Sequence, residues 1–499
     1  MEGYRQLASR SREVKLLGTF SSLFSWDQEL CLPPRGQAFR ADQMAWVQGR
    51  AHRLWTDPVV GEWLEEAKAE VNADSPEAAN VARWESDYQR SQKLPVELVE
   101  TCARVEAEAH EAWKQAREAS DYSVFSGFLE RLVALSREKA ECWGYEECPY
   151  DAHLEAYEPG LRTQALKERF EPLAAELSGM VQWILDEASI PEWPEGPYPI
   201  PEQEAFNREV VEALGFDFER GRMDTSVHPF SSGMGPHDHR VTTRYDENDF
   251  TSSLFGIIHE CGHSLYEQGL EEGRFGTPCG ASVSLGIHES QSRIWENQIG
   301  RSLEFWEYWF PKAADRFPQI RKMGLEDFVR HVNRVERSYI RVDASEIGYD
   351  LHVILRFEIE DRVFNGGLTV KEIPDIWNER FRELIGIEVP DDRRGCLQDI
   401  HWSMGGFGYF PTYTLGSLNA AQWMEAMEEA VGPVGPQLSQ GQTGPILEWL
   451  RRHVHRHGRR YLPDELMARA TGRPGEAGPL LRHFQKKAEW LTACSGRAA

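Results

Sequence analysis

The sequence lacks the features that would place it in a membrane or an oxidising compartment. No apolar run approaches the length of a membrane span, and no early stretch has the charged, apolar and small-residue order of a signal peptide. The eight cysteines (Cys31, Cys102, Cys142, Cys148, Cys261, Cys279, Cys396 and Cys494) are scattered and include no Cys-x-x-Cys pair. They offer no disulfide framework, which fits a reducing compartment and sets a cytoplasmic location as the expectation. Positive charge is also scarce: 55 Lys and Arg against 81 Asp and Glu leave a formal net charge of −26. Such a surface disfavours nucleic acid and anionic membranes as partners. The one basic run, "RRHVHRHGRR" from Arg451 to Arg460, reads as a solvated helix end, since the rest of the chain would repel phosphates. No internal repeat occurs at solenoid periods, and β-type patterning is confined to one short region.

Apolar and charged residues at helical spacing are abundant. A hydrophobic content of 41% with 17 Trp is ample for a large core and argues against disorder. "VELVETCARVEAEAHEAWKQAREA" (Val96 to Ala119) is amphipathic at a period of 3.6, and the first third of the chain continues in this manner. A proline-rich bridge, "IPEWPEGPYPIPEQ" (Ile190 to Gln203), cannot continue a helix and divides this part from the next. Beyond it, "RMDTSVHPF" and "HRVTTRYDE" are rich in β-branched residues and predict short strands. Helical patterning resumes at Asp249 to Gln268, about Val283 to Arg316 and about Leu325 to Phe364. "VGPVGPQLSQGQTGP" (Val431 to Pro445) predicts a linking loop before a last helical section at about 445–499. The expected fold is mainly α with a small β-sheet beside the region 249–268. The expected organisation is a single domain over 1–499, with a helical part at about 1–190 and a catalytic part at about 204–430.

Within "GIIHECGHSLYEQG" (Gly256 to Gly269), His259 and His263 stand four residues apart with Glu260 directly after the first. On a helix, positions i and i+4 share a face, so two imidazoles can bind one metal ion while the glutamate projects toward the ion's open position. The plain alternative is a helix that merely carries two histidines, so the surroundings decide. A catalytic zinc takes three protein ligands, and "GIHESQSRIWENQIG" (Gly286 to Gly300) offers the third. Glu289 is the leading candidate and its neighbour His288 the competitor, because adjacent helical residues point about 100° apart and only one can face the ion.

Other patterns flank this one in order: His228-Pro229-Phe230; Asp238, Arg240 and Thr242 as Asp-x-Arg-x-Thr; His288-Glu289-Ser290; and Gly395, Gln398, Asp399, His401 and Trp402 as Gly-x-x-Gln-Asp-x-His-Trp, followed by "SMGGFGYFPTYTLG". With them the chain resembles, over nearly its full length, the carboxypeptidase Taq family of metallocarboxypeptidases. One motif departs: the family's Ile-Arg-x-x-Ala-Asp reads Ile340-Arg341-Val342-Asp343-Ala344-Ser345, with serine replacing the last aspartate while Arg341 is retained.

The resemblance implies a large helical body with a deep groove, a homodimer, and peptide substrates with a free C-terminus. It makes Glu289 the carboxylate that completes the metal site with His259 and His263. One divalent ion per subunit is implied, Zn²⁺ being expected and Co²⁺ the alternative. Bound there, the ion would acidify a water and polarise the scissile carbonyl. Glu260 is the expected general base. Arg341 is the first choice to grip the substrate carboxylate, with Arg240 and Arg244 as rivals, since a planar guanidinium is the natural bidentate partner. His228, His401 and Tyr409 are expected to line the cleft as hydrogen-bond donors. An internally cutting oligopeptidase and a non-catalytic peptide-binding protein with a structural metal are the competing readings.

Overall fold

The computed structural model describes residues 1–493, so Cys494 lies outside the described residues. Among them are twenty α-helices and one three-stranded sheet, which bears out the mainly α expectation. The seven described cysteines are all free thiols. No described helix is long and apolar enough to cross a membrane. The chain divides into two compact units, each built from three segments.

The first unit comprises residues 1–92, 191–332 and 423–474. Its amino-terminal helices pack Leu7, Val60, Leu64, Ala67, Val81 and Trp84 into a small core of their own. The proline-rich bridge is extended up to Pro199, and the next helix, Ile200–Ala213, carries a proline in its first turn, where no N–H is needed. The bridge is held by Trp193, which stacks on His331 at 4.8 Å and on Tyr198 at 5.5 Å. Strands β1 (Gly221–Thr225), β2 (Ser231–Gly235) and β3 (Asp238–Thr243) follow in the order β1-β3-β2. β1 runs parallel to β3 with Met223 opposite Val241, and β2 runs antiparallel with Ser231 opposite Val241. β1 and β3 are the two expected strands. β2, "SSGMG", carries no β-branched residue and exists only through its pairing with β3. β3 and β2 both meet the helix Phe250–Gly269: from the buried end of β3 Thr243 Oγ1 donates to the Ser253 carbonyl at 2.8 Å, and from β2 Ser231 Oγ meets Ser264 Oγ at 2.9 Å.

The second unit comprises residues 93–190, 333–422 and 475 onward. Val96–Ala119 is helical as expected and buries Leu98, Cys102, Val105, Ala109, Ala112, Trp113 and Ala116, the one-sided stripe of a period of 3.6. It joins the helices Ser123–Trp143, Thr163–Glu187, Glu346–Phe364, Ile373–Ile385 and Gly478–Thr492 around a single extensive core.

Two expected helices are interrupted. The run from Val283 to Arg316 is an α-helix at Leu285–Arg293, a π-helical turn at Ile294–Ile299 and a second helix at Leu303–Arg316 capped by Ser302. The run from Leu325 to Phe364 stops at Val332 and resumes at Glu346. Gln398 takes the backbone hydrogen bonds that a helix would use: its Oε1 accepts from Arg341 N at 2.9 Å, and its Nε2 donates to Tyr339 O at 3.0 Å. The basic run is also corrected in part. Arg451 to His453 do end a helix, but His455 is fully buried and meets Gln291 Oε1 through Nε2 at 2.9 Å.

Candidate metal centre and active site

The helix Phe250–Gly269 begins where the Asp249 side chain accepts the N–H of Thr251, a standard N-cap. It places His259 and His263 one turn apart, with ring centroids 5.0 Å from each other. The helix Leu285–Arg293 crosses it at very short range. A Cβ at Gly262, inside the His-Glu-x-x-His run, would stand 2.5 Å from the Gln291 carbonyl oxygen and 2.7 Å from Ser292 Cα. Only glycine allows that approach, and the approach brings Glu289 to the histidines.

Glu289 Oε2 lies 3.7 Å from His259 Nε2 and 3.5 Å from His263 Nε2. A tetrahedral ion bound at about 2.0–2.2 Å holds neighbouring ligand atoms roughly 3.3–3.6 Å apart, so these two edges suit such an ion. All three candidate ligand atoms lie within 4.8 Å of one another. Arg293 Nε donates to the other oxygen, Glu289 Oε1, at 2.8 Å, which aims Oε2 at the histidines. Burial works against the Glu289 carboxylate, but Arg293 and the two imidazoles hold its pKa well below the ordinary range. His288, the competitor, turns away: its Nδ1 meets His263 Nδ1 at 2.7 Å and its Nε2 meets Glu267 Oε1 at 3.0 Å.

His259 Nδ1 is engaged by Glu296 Oε2 at 2.8 Å, and Arg301 steadies the opposite oxygen of Glu296 at 3.3 Å. The helical pattern read from the sequence missed Glu296 and Glu267, because partners behind a ligand carry no spacing signal of their own. Burial lowers His263 to about 4, against the contact with Glu289 and with the help of the neighbouring imidazoles. Burial would lower His259 as well, but the carboxylates of Glu289 and Glu296 overcome it and raise the ring to about 9. Glu260 is buried, and desolvation with the negative charge of Glu289 and Glu296 lifts it to about 7 against the opposing pull of His259.

The chain matches the family model described as carboxypeptidase Taq (M32) metallopeptidase over residues 6–488. It belongs to that family. The chain is 41% identical to thermostable carboxypeptidase 1 of Thermus thermophilus, covering 97% of this chain and 98% of the relative. It is 36% identical to carboxypeptidase 1 of Bacillus subtilis over 93% and 94% of the two chains. The crystal structure of the M32 carboxypeptidase from Deinococcus radiodurans superposes with a TM-score of 0.95 at 35% identity, covering 99% of this chain and 100% of the other. Trypanosoma cruzi metallocarboxypeptidase 1 gives 0.94 at 35% identity, covering 98% and 99%. This M32 chain is accordingly a metallocarboxypeptidase, and its family implies a divalent metal.

The remaining residues named from the sequence fall in both units. In the first, His228 is exposed, and Arg240 has its fork taken by Asp238, with both contacts at 2.7 Å. Arg244 is exposed. In the second, Arg341 is buried and donates to Asp399 Oδ1 through Nε at 3.2 Å and Nη2 at 3.0 Å, and to Tyr349 Oη through Nη1 at 2.6 Å. Arg356 Nε donates to the other oxygen of Asp399 at 2.6 Å. His401 Nε2 lies 3.1 Å from Tyr413 Oη, and its ring packs on Tyr409 at 5.1 Å. Ser345 precedes the helix Glu346–Phe364 without capping it, and its buried hydroxyl has no hydrogen-bond partner.

Proposed function

We propose that this metallocarboxypeptidase removes single C-terminal residues from peptides, with His259, His263 and Glu289 holding one divalent ion, Zn²⁺ in preference to Co²⁺. The carrying observation is the convergence of His259 Nε2, His263 Nε2 and Glu289 Oε2 at separations of 3.5–3.7 Å on the two histidine–carboxylate edges. When bound, the ion supplies Lewis acidity toward water and the scissile carbonyl. Glu260 accepts the water proton at its carboxylate and returns it to the departing nitrogen. Burial and the charges of Glu289 and Glu296 raise its pKa in the metal-free protein, which strengthens it as a base.

Substrate polarity is assigned to Arg341. Arg341 and Arg356 place two guanidinium groups on the single carboxylate of Asp399, which leaves one positive charge for a substrate carboxylate to balance. Asp399 and Tyr349 orient the arginine, so the serine at position 345 leaves it held. Arg240, paired one to one with Asp238 so that its charge is already balanced, is the weaker rival. His228, His401 and Tyr409 complete the reading as hydrogen-bonding residues toward the substrate. A single functional domain, a homodimer and a cytoplasmic location belong to the same proposal, the last supported by the free thiols.

The test is digestion of one peptide with a free and with an amidated C-terminus, before metal removal, after it, and after restoration of Zn²⁺. Stepwise release from the free acid alone, lost with the metal and regained with Zn²⁺, is the expected result. Internal cleavage of both peptides at similar rates would instead make the enzyme an oligopeptidase.

A further inference from the structure

The two ligand histidines are backed differently. His259 Nδ1 meets a carboxylate directly, Glu296 Oε2 at 2.8 Å. His263 Nδ1 meets a second imidazole, His288 Nδ1 at 2.7 Å, whose Nε2 reaches Glu267 Oε1 at 3.0 Å. An imidazole that presents Nε2 to a metal carries its hydrogen on Nδ1. His263 Nδ1–H must therefore donate, and His288 Nδ1 must accept. His288 then carries its own hydrogen on Nε2, which donates to Glu267. Every atom in this chain has one permitted role, and reversing any one of them would put a hydrogen on His263 Nε2. Tyr266 flanks the His288 ring at 5.2 Å and limits its rotation. Glu267 also lines a cavity of about 60 Å³ with Lys15, Arg220 and His239.

We infer that His288 and Glu267 are positioning residues, a two-step relay that locks His263 in the tautomer and orientation needed for metal binding, with Glu296 doing the same for His259 directly. The inference rests on the ligand assignment above. His288, adjacent to the ligand Glu289, acts behind the metal and does not bind it. Partners of this kind typically change metal affinity by about 10–100-fold when removed.

The experiment measures Zn²⁺ affinity of full-length variants by competition with a chromophoric chelator, together with the visible spectrum of the Co²⁺ form. His288→Leu fills the space but accepts nothing, and should weaken Zn²⁺ binding by about 10–100-fold and alter the Co²⁺ spectrum. His288→Asn places Oδ1 near the position of Nδ1 as an acceptor and should recover most of the loss. Glu267→Gln, which can still accept from His288, should stay close to the parent, whereas Glu267→Leu should follow His288→Leu in direction. Thermal melts of the metal-free variants show whether each is folded, and the Glu267 pair decides the matter if a His288 variant is not. Parental affinity in His288→Leu, or Asn no tighter than Leu, overturns the relay. His263→Ala is the control: parental affinity there overturns the ligand assignment itself, while its loss alongside intact His288 variants overturns the relay alone.

Discussion

At the residue scale, the chemistry concentrates on side chains whose surroundings shift a pKa or fix an orientation. Glu260 is the sharpest case, since burial and two neighbouring carboxylates hold its pKa near 7. Glu260→Gln keeps the shape and removes the base. The variant should retain its metal at parental stoichiometry while kcat falls by about 10²–10⁴-fold, the usual worth of a positioned proton-transfer group. Metal analysis and steady-state kinetics on the same sample check this, and near-parental kcat would exclude Glu260 from proton transfer. The three candidate ligands were legible in the sequence because their spacing is a geometric statement: i and i+4 on one helix, and a carboxylate on the next. The groups behind it were not. Glu296 and Glu267 are ordinary helix carboxylates by position, and only the fold reveals that each faces an imidazole nitrogen. The sequence made Arg341 the first choice for the substrate clamp, with Arg240 and Arg244 as rivals, but carried no sign of the ion pair that holds it. The structure supplies the ion pair, with Asp399, and adds the second arginine on that same carboxylate.

At the element scale, periodicity located the helices and overstated their length. A hydrophobic repeat persists through a π-helical turn, so Leu285–Ile299 reads as one helix although the turn at Ile294–Ile299 is what carries Glu296. Likewise a repeat does not show that Gln398, far along the chain, takes the backbone bonds of residues near Arg341. Strand β2 was illegible for a related reason: its pairing lies in β3, not in its own composition. Gly262 shows how much one position can fix. Alanine there would gain helix propensity, worth about 1 kcal/mol, since glycine is a poor helix residue. Its methyl would nevertheless meet the Gln291 carbonyl and Ser292 Cα at 2.5 and 2.7 Å, backbone atoms that cannot swing aside. Gly262→Ala should therefore destabilise the protein by about 1–3 kcal/mol, as overpacking does. It should also weaken metal binding by moving Glu289 away from the histidines. Denaturant unfolding and chelator competition measure the two effects. A more stable variant with parental metal affinity would show that the helix crossing does not set the site.

At the scale of the whole molecule, the formal charge of −26 and a pI near 5.1 mean that acidification first relieves self-repulsion. Against that general gain, the second unit contains a specific acid-sensitive tie. Glu346, nearly buried at the start of the helix Glu346–Phe364, pairs with Lys487 and lies 3.0 Å from His483 Nε2, both on the helix Gly478–Thr492. Burial alone would raise the Glu346 pKa, but Lys487 and His483 reverse it and hold the carboxyl well below the ordinary range. A carboxylate depressed in the folded state contributes stability above its unfolded pKa of about 4.3, and that contribution disappears as pH falls toward the folded value. At pH 7, Glu346→Gln should cost about 1–3 kcal/mol, because it removes the counter-charge of Lys487 in a largely buried setting while the hydrogen bond from Lys487 Nζ to Asn333 Oδ1 at 2.8 Å remains. At pH 3 the parent has begun to lose the same contribution, so the gap between the two proteins should narrow. The variant shares the parent's global charge to within one unit, so comparing the two curves cancels the self-repulsion term. Denaturant unfolding of the metal-free proteins from pH 7 to pH 3 tests this. A gap that stays constant or widens on acidification would show that Glu346 stabilises the fold by packing and not as a charge.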